Sequence, residues 1–282
     1  MRQKNNQIVK EALEFAARWG FLTKDLFYDF ICRMSSAQNY RYWRSLTDGG
    51  LLVQSKASEN VLLLSHKIRR QMFGESARPS RLPAYIDHDS IAARFLMTLQ
   101  QTGLVSRYWL ENDLMSNPLD TYDILGSARV HRIPDVVFDL KTSNGLVRCA
   151  YEVEKTTKTQ SRYSKIGLAY LDYSKINLIL FACSSLATEV AVSRGFQGKA
   201  FTDANRVPGI FQYPDFTALG LKTKIRFGTR EYSIQNFLEV VTKQIVAAGS
   251  SKRNLNEMSF SFRFLLELPA ATICFVTTSK KF

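Results

Sequence analysis

The chain has 282 residues, 45% of them apolar, enough for one sizeable core and a smaller one, so two domains are expected. Its 38 Lys and Arg against 25 Asp and Glu give a formal charge of +13, which favours a polyanionic partner, and residues 1–81 hold 14 basic and 7 acidic side chains of that total. The four cysteines, Cys32, Cys149, Cys183 and Cys274, lie too far apart for a CxxC zinc or redox motif, and the absence of GxxxxGKS/T and GxGxxG excludes P-loop motors and dinucleotide enzymes.

Ile8, Ala12, Phe15, Ala16 and Trp19 recur at helical spacing, which predicts an amphipathic helix over 6–19 stopped at Gly20. Thr23 caps a second helix over 24–32, and Ser35 caps a third that ends near Gly49 and Gly50. The apolar runs 51–54 and 61–65 around a polar turn at 55–60 form a hairpin. Three helices and a hairpin predict a winged-helix DNA-binding domain over 1–74. In its third helix Gln38, Arg41, Tyr42 and Ser45 make a polar face opposite Trp43 and Leu46, suited to a major groove, and Lys56 at the hairpin tip suits a phosphate.

Residues 75–87, rich in Pro, Ser and Arg, predict a linker, and a second domain is expected over 88–282. Its predicted elements are a helix over 91–101, a strand over 106–110, and strands over 136–140 and 147–153 around a turn at Ser143, Asn144 and Gly145. A helix over 161–173 and an apolar strand over 176–183 follow, which is an α/β crossover. Beyond about residue 195 the pattern weakens, apart from a helix over 233–247. The apolar stretch 260–277 is interrupted by Arg263, Glu267 and Pro269, so a buried strand and helix are expected there and no membrane insertion. Residues 1–10 lack a secretory pattern, and a cytoplasmic protein is expected.

The three histidines, His66, His88 and His131, are scattered, which argues against histidine-based metal chemistry. The carboxylates are not scattered. Asp135 enters one predicted strand, and Glu152 and Glu154 end the next, on one face because strand side chains alternate. Neighbouring carboxylates on an apolar strand need a cation, and oxygen-only ligands suit Mg²⁺ or Mn²⁺. Such an ion activates a nucleophile and stabilises the charge that develops when a phosphodiester is cleaved.

Pro134, Asp135 and Glu152 resemble the PD-(D/E)xK nuclease superfamily, with Glu154 where that pattern has its lysine. The D…ExE form downstream of a winged helix, followed by Arg162-Tyr163-Ser164-Lys165, resembles the replication-relaxation family, which includes MOBC-type plasmid relaxases, over residues 5–185. The resemblance implies an α/β protein with an amino-terminal winged helix and a restriction-endonuclease-like domain, its central mixed sheet flanked by helices. It implies that the missing lysine comes from the following helix, as Lys165 or else Lys158, and that Glu111 adds a metal ligand. The implied function is metal-dependent nicking of one DNA strand at a plasmid transfer origin during conjugative mobilisation, with accessory mobilisation and coupling proteins as partners in a bacterial cytoplasm. Tyr151, Tyr163 and Tyr170 lie near the motif, should a covalent intermediate form. The alternative is a DNA-binding replication or transcription regulator whose nuclease-like domain is inert.

Overall fold

The five apolar residues read as one helical stripe, Ile8, Ala12, Phe15, Ala16 and Trp19, are all buried along α1 (Arg2–Trp19). The computed structural model describes residues 2–73 and 82–248, apart from 128–129, 143–144, 199, 202–203 and 205. Two compact units divide between Leu104 and Val105 in this mixed α/β protein.

In the first unit, Thr23 caps α2 (Lys24–Leu26) by accepting the Leu26 N–H at 3.3 Å. The chain then widens into a π-helical turn (Phe27–Ile31), closed by the Cys32 N–H on the Phe27 carbonyl at 2.7 Å. Ser35 and Gln38 form a capping box at the start of α3 (Ser36–Asp48), which turns Trp43 and Leu46 inward, Trp43 against Phe27. β1 (Leu22–Thr23), β2 (Leu52–Ser55) and β3 (Ser58–Leu64) form an antiparallel sheet in the order β1-β3-β2. α4 (His66–Phe73) and α5 (Pro83–Gln101) complete the unit, and the Arg94 guanidinium of α5 reaches Asp29 at 2.7 Å.

Two local expectations change here, and one strand is added. The hairpin turn shrinks to Lys56 and Ala57, because Ser58 pairs with Ser55 although its polar stretch shows no strand period. β1 is too short to show any period and exists through its pairing with Leu62 and Val61. The helix expected from Ile91 begins at Pro83, whose fixed φ and missing N–H suit a first helical position. Residues 83–87 of the expected linker are therefore helical; residues 75–81 lie outside the described residues.

The second unit is a seven-stranded mixed sheet flanked by helices. β4 (Val105–Leu110), β5 (Val136–Thr142) and β6 (Gly145–Glu154) form an antiparallel meander, with α6 (Glu111–Ser116) and α7 (Pro118–Leu125) between the first two strands. α8 (Gln160–Leu171) crosses over to β7 (Leu178–Cys183), parallel to β6, and α9 (Leu186–Gly195) leads to β8 (Gly209–Gln212), parallel to β7. After α10 (Tyr213–Leu219), β9 (Lys224–Phe227) and β10 (Arg230–Ser233) close the sheet antiparallel, before α11 (Ile234–Ala248). All six residues of β7 are buried, as its unbroken apolar run requires. The helix expected over 233–247 is α11, whereas the strands after residue 195 escaped the sequence reading because β8, β9 and β10 have only four residues each. Ser143 and Asn144 of the expected turn, and the expected strand and helix over 260–277, lie outside the described residues. Among the described residues no helix is long and apolar enough to cross a membrane.

Candidate functional site

The register of β5 on β6 pairs Val137 with Ala150 and Val136 with Tyr151, so Asp135, one residue further out, stands opposite Glu152. Alternation puts Glu154 on the same face. Past the end of β5 the strand partner runs out, and the Asp135 carboxylate takes its place by accepting the Val153 N–H at 2.7 Å. The Asp135 carbonyl accepts the Glu111 N–H at 3.0 Å, which brings the first residue of α6 beside the motif. Glu152 and Glu154 are fully buried, in contrast to most glutamates.

Two cations answer these acids. Arg132 grips Glu152 with two nitrogens, Nε at 2.8 Å and Nη2 at 2.6 Å, and lies 3.9 Å from Glu154. Lys158 Nζ is 2.6 Å from the Glu154 carboxylate. Two tyrosines of α8 add donors: Tyr170 to Glu152 at 2.5 Å and Tyr163 to Glu154 at 3.3 Å. A third, Tyr173, accepts the Arg132 N–H at 2.9 Å and donates to the Arg132 carbonyl, so the residue that pairs with Glu152 is held at its own backbone. The tyrosines reach the sheet because α9 closes tightly on α8: a Cβ on Gly195 would sit 2.3 Å from the Tyr163 Cβ. Thr159 caps α8 through the Arg162 N–H, so the helix starts at Gln160, one residue earlier than the Ser161 start expected.

Burial pushes the Glu152 carboxyl above its ordinary range, the Arg132 charge pulls it back, and the Asp135 carboxylate adds to the rise. Glu152 in turn holds Arg132 charged beyond an ordinary guanidinium. Burial raises Tyr151, Tyr163 and Tyr170 well above a normal phenol. Tyr163 and Tyr170 commit their hydroxyls to glutamates, and Tyr151 lies on the opposite face, stacked on Phe211 at 6.3 Å. None of the three is presented as an exposed nucleophile.

A second charged cluster lies on the same face of the meander. Asp139, also fully buried, accepts from Arg107 at 2.6 Å and from Arg148 at 2.8 and 3.1 Å. Both guanidiniums lie over the Trp109 ring, at 4.9 and 5.0 Å from its centre.

The structure thus brings Asp135, Glu152 and Glu154 to one face and Glu111 beside them. It puts Lys158, not Lys165, on the carboxylates: Lys165 is exposed on α8, lining a groove with Arg132. Among the described residues no three His, Cys, Asp or Glu side chains converge as a ready ligand set for a metal, since Glu152 turns to Arg132 and Glu154 to Lys158. In the first unit Gln38, Arg41 and Ser45 are exposed on α3, Tyr42 is half-buried, and Lys56 is exposed in the hairpin turn. Gln38 and Ser45 also have local partners, the Ser35 cap and the Tyr42 carbonyl. Arg132 is the residue that sequence reasoning missed. Its signal was an arginine three positions before Asp135, adjoining Ile133-Pro134. No protein-family model, no curated protein and no solved structure matches this chain.

Proposed function

We propose that this protein is a metal-dependent DNA endonuclease of relaxase type, with a winged helix in the first unit that binds duplex DNA and a PD-(D/E)xK-like site in the second. One observation carries the reading: three carboxylates, Asp135, Glu152 and Glu154, share one sheet face, and Glu152 and Glu154 are fully buried there. The sheet supports it, because a central mixed sheet flanked by helices is the arrangement that the resemblance implies. The helix and strand order of the first unit supports a winged helix, with the exposed Arg41 and Lys56 as DNA contacts.

The oxygen-only donor set fits a hard divalent cation in chemistry, and Asp135, Glu152 and Glu154 would hold it. When bound, Mg²⁺ or Mn²⁺ would supply an activated water or a Lewis acid for phosphodiester cleavage. The residues of the chain do the rest: Lys158, steered by Glu154, donates toward phosphate oxygen, and Arg132 orients Glu152. A plasmid transfer origin as the target, with accessory and coupling proteins, extends the same reading.

The ion pairs favour a second reading, in which Arg132 and Lys158 satisfy the acids permanently and the unit is an inert module of a DNA-binding regulator. Supercoiled plasmid carrying a candidate origin separates the two. The nuclease converts it to open circles with Mg²⁺ or Mn²⁺ and not with EDTA; the regulator binds it and leaves it supercoiled.

A further inference from the structure

The exposed face of α8 repeats Arg162, Lys165 and Asp172 at spacings of three and seven residues, so these side chains line one side of the helix. Facing them are His131 and Arg132, and the two borders enclose an open groove of about 460 Å³, within the roughly 300–1,000 Å³ of ligand-binding clefts. Its lining is basic: Arg162 and Lys165 stand against Asp172, which lies 3.7 Å from His131 Nε2, and Arg132, paired with Glu152 behind it, adds the outer edge of a guanidinium.

The cations differ in freedom. Arg162 and Lys165 are exposed and extend from the helix surface. Arg132 is fixed from behind, its guanidinium by Glu152 and its backbone by Tyr173, yet a quarter of its side chain remains exposed on the groove. A guanidinium has five donors, and Glu152 engages only two of its nitrogens. A held guanidinium loses less freedom when an anion arrives than a mobile one does. From Arg162 to Asp172 the helix rises about 15 Å, which is room for more than one phosphate. Leu168, 56% exposed on the same wall, offers an apolar surface for sugar or base.

We propose that this groove seats the phosphodiester backbone of a single DNA strand, with Arg132 as the fixed contact and Arg162 and Lys165 as the adjustable ones. The groove adjoins Glu152 through Arg132, so a strand lying in it passes beside the carboxylates. The choice of DNA rests on the proposed function; the anion seat rests on the groove alone.

The test is fluorescence anisotropy of a labelled twelve-residue oligo(dT), and of oligo(rU), with the full chain in EDTA. The variants are Arg162→Glu with Lys165→Glu, and the milder Arg162→Gln with Lys165→Gln, each checked by thermal melting. The charge-reversed protein should bind oligo(dT) at least tenfold more weakly. The Gln pair should flatten the dependence of log affinity on log salt by about 1.4, from about 0.7 for each single-strand phosphate left without its cation. Unchanged affinity and salt slope in both folded variants overturns the groove. Tighter binding of oligo(rU), abolished in the same variants, overturns the assignment to DNA. Because EDTA removes divalent ions, a failure of plasmid nicking leaves this result standing, and nicking by a protein whose oligo(dT) binding ignores both variants refutes the groove alone.

Discussion

Two clusters of charge sit on one face of the same meander, and burial is answered differently in each. Asp139 is met by two guanidiniums, Arg107 and Arg148, and the set is formally one positive charge in excess. At the motif the carboxylates crowd together instead: Asp135, Glu152 and Glu154 share the face, with Arg132 on Glu152 and Lys158 on Glu154. Acidity follows the difference. At Asp139 burial works to raise the carboxyl, but hydrogen bonds and charge from Arg148 and Arg107 outweigh it, and the group is held below its ordinary value. At Glu152 burial wins over Arg132 and the carboxyl is held above it. One carboxylate held by two guanidiniums locks strands together; carboxylates crowded on one face are the kind of donor set that suits a divalent cation.

The sharpest way to break the comparison is to remove one carboxylate from each cluster. Asp135→Asn, Glu152→Gln and Glu154→Gln should each lower plasmid nicking by roughly a thousandfold or more, the range of a lost catalytic electrostatic group, while duplex affinity stays within about twofold. Any two of these variants nicking like the parent would end the endonuclease reading. Asp139→Asn should leave nicking per folded molecule unchanged and instead destabilise the protein by about 3 kcal/mol, because the mostly buried Arg148 and the half-exposed Arg107 lose their partner. The urea midpoint measures this. Since folding depresses the Asp139 value, its contribution is complete above the unfolded value of about 3.9 and is lost as pH falls below that. The Asp139→Asn protein should therefore lack that step in its acid unfolding curve.

The lysines give the next, smaller contrast. Lys158→Met should reduce kcat about a hundredfold, since Lys158 is the lysine that touches Glu154. Lys165→Met, on the groove wall, should raise KM severalfold and spare kcat. The reverse pattern would return the catalytic lysine to Lys165.

How much of this was legible follows from period and reach. Glu152 and Glu154 on one face, the buried β7 and the capped α3 were readable because alternation, an unbroken apolar run and a Ser35–Gln38 box are local signals. The pairing of Asp135 with Glu152 was half legible: both lay at strand ends, but only the register makes them opposite. Arg132, twenty residues from Glu152, and Tyr170, eighteen beyond it, were illegible because nothing local marks a long-range ion pair or a buried hydroxyl. The contact of Lys158 with Glu154 was illegible for a similar reason. Helix α8 starts at Gln160 under a Thr159 cap, which carries Lys165 outward, while the turn before it curls Lys158 back onto Glu154.

The smallest expected effect tests whether Glu152 is as strained for charge as the contrast implies. Tyr170 donates to Glu152 Oε1 at 2.5 Å, and its ring packs against Tyr173 and Phe196 with centres 5.6 and 6.5 Å apart. Tyr170→Phe keeps the ring and removes only the hydroxyl. A hydrogen bond to a charged group contributes about 1.5–3 kcal/mol, and Arg132 still engages both Glu152 oxygens in the variant, so a loss of about 1.5 kcal/mol is expected at neutral pH. The bond favours ionised Glu152 and lowers a value that burial has raised. Removing it raises that value further, so parent and variant should differ fully while Glu152 is charged in both. The difference should shrink as pH falls through the folded values, a window that starts above the ordinary 4.5 and thus lies on the opposite side of the carboxylate range from the Asp139 step. A gap in urea midpoint that stays constant from neutral pH down through that window would mean that Tyr170 acts through its ring packing and not through the charge of Glu152.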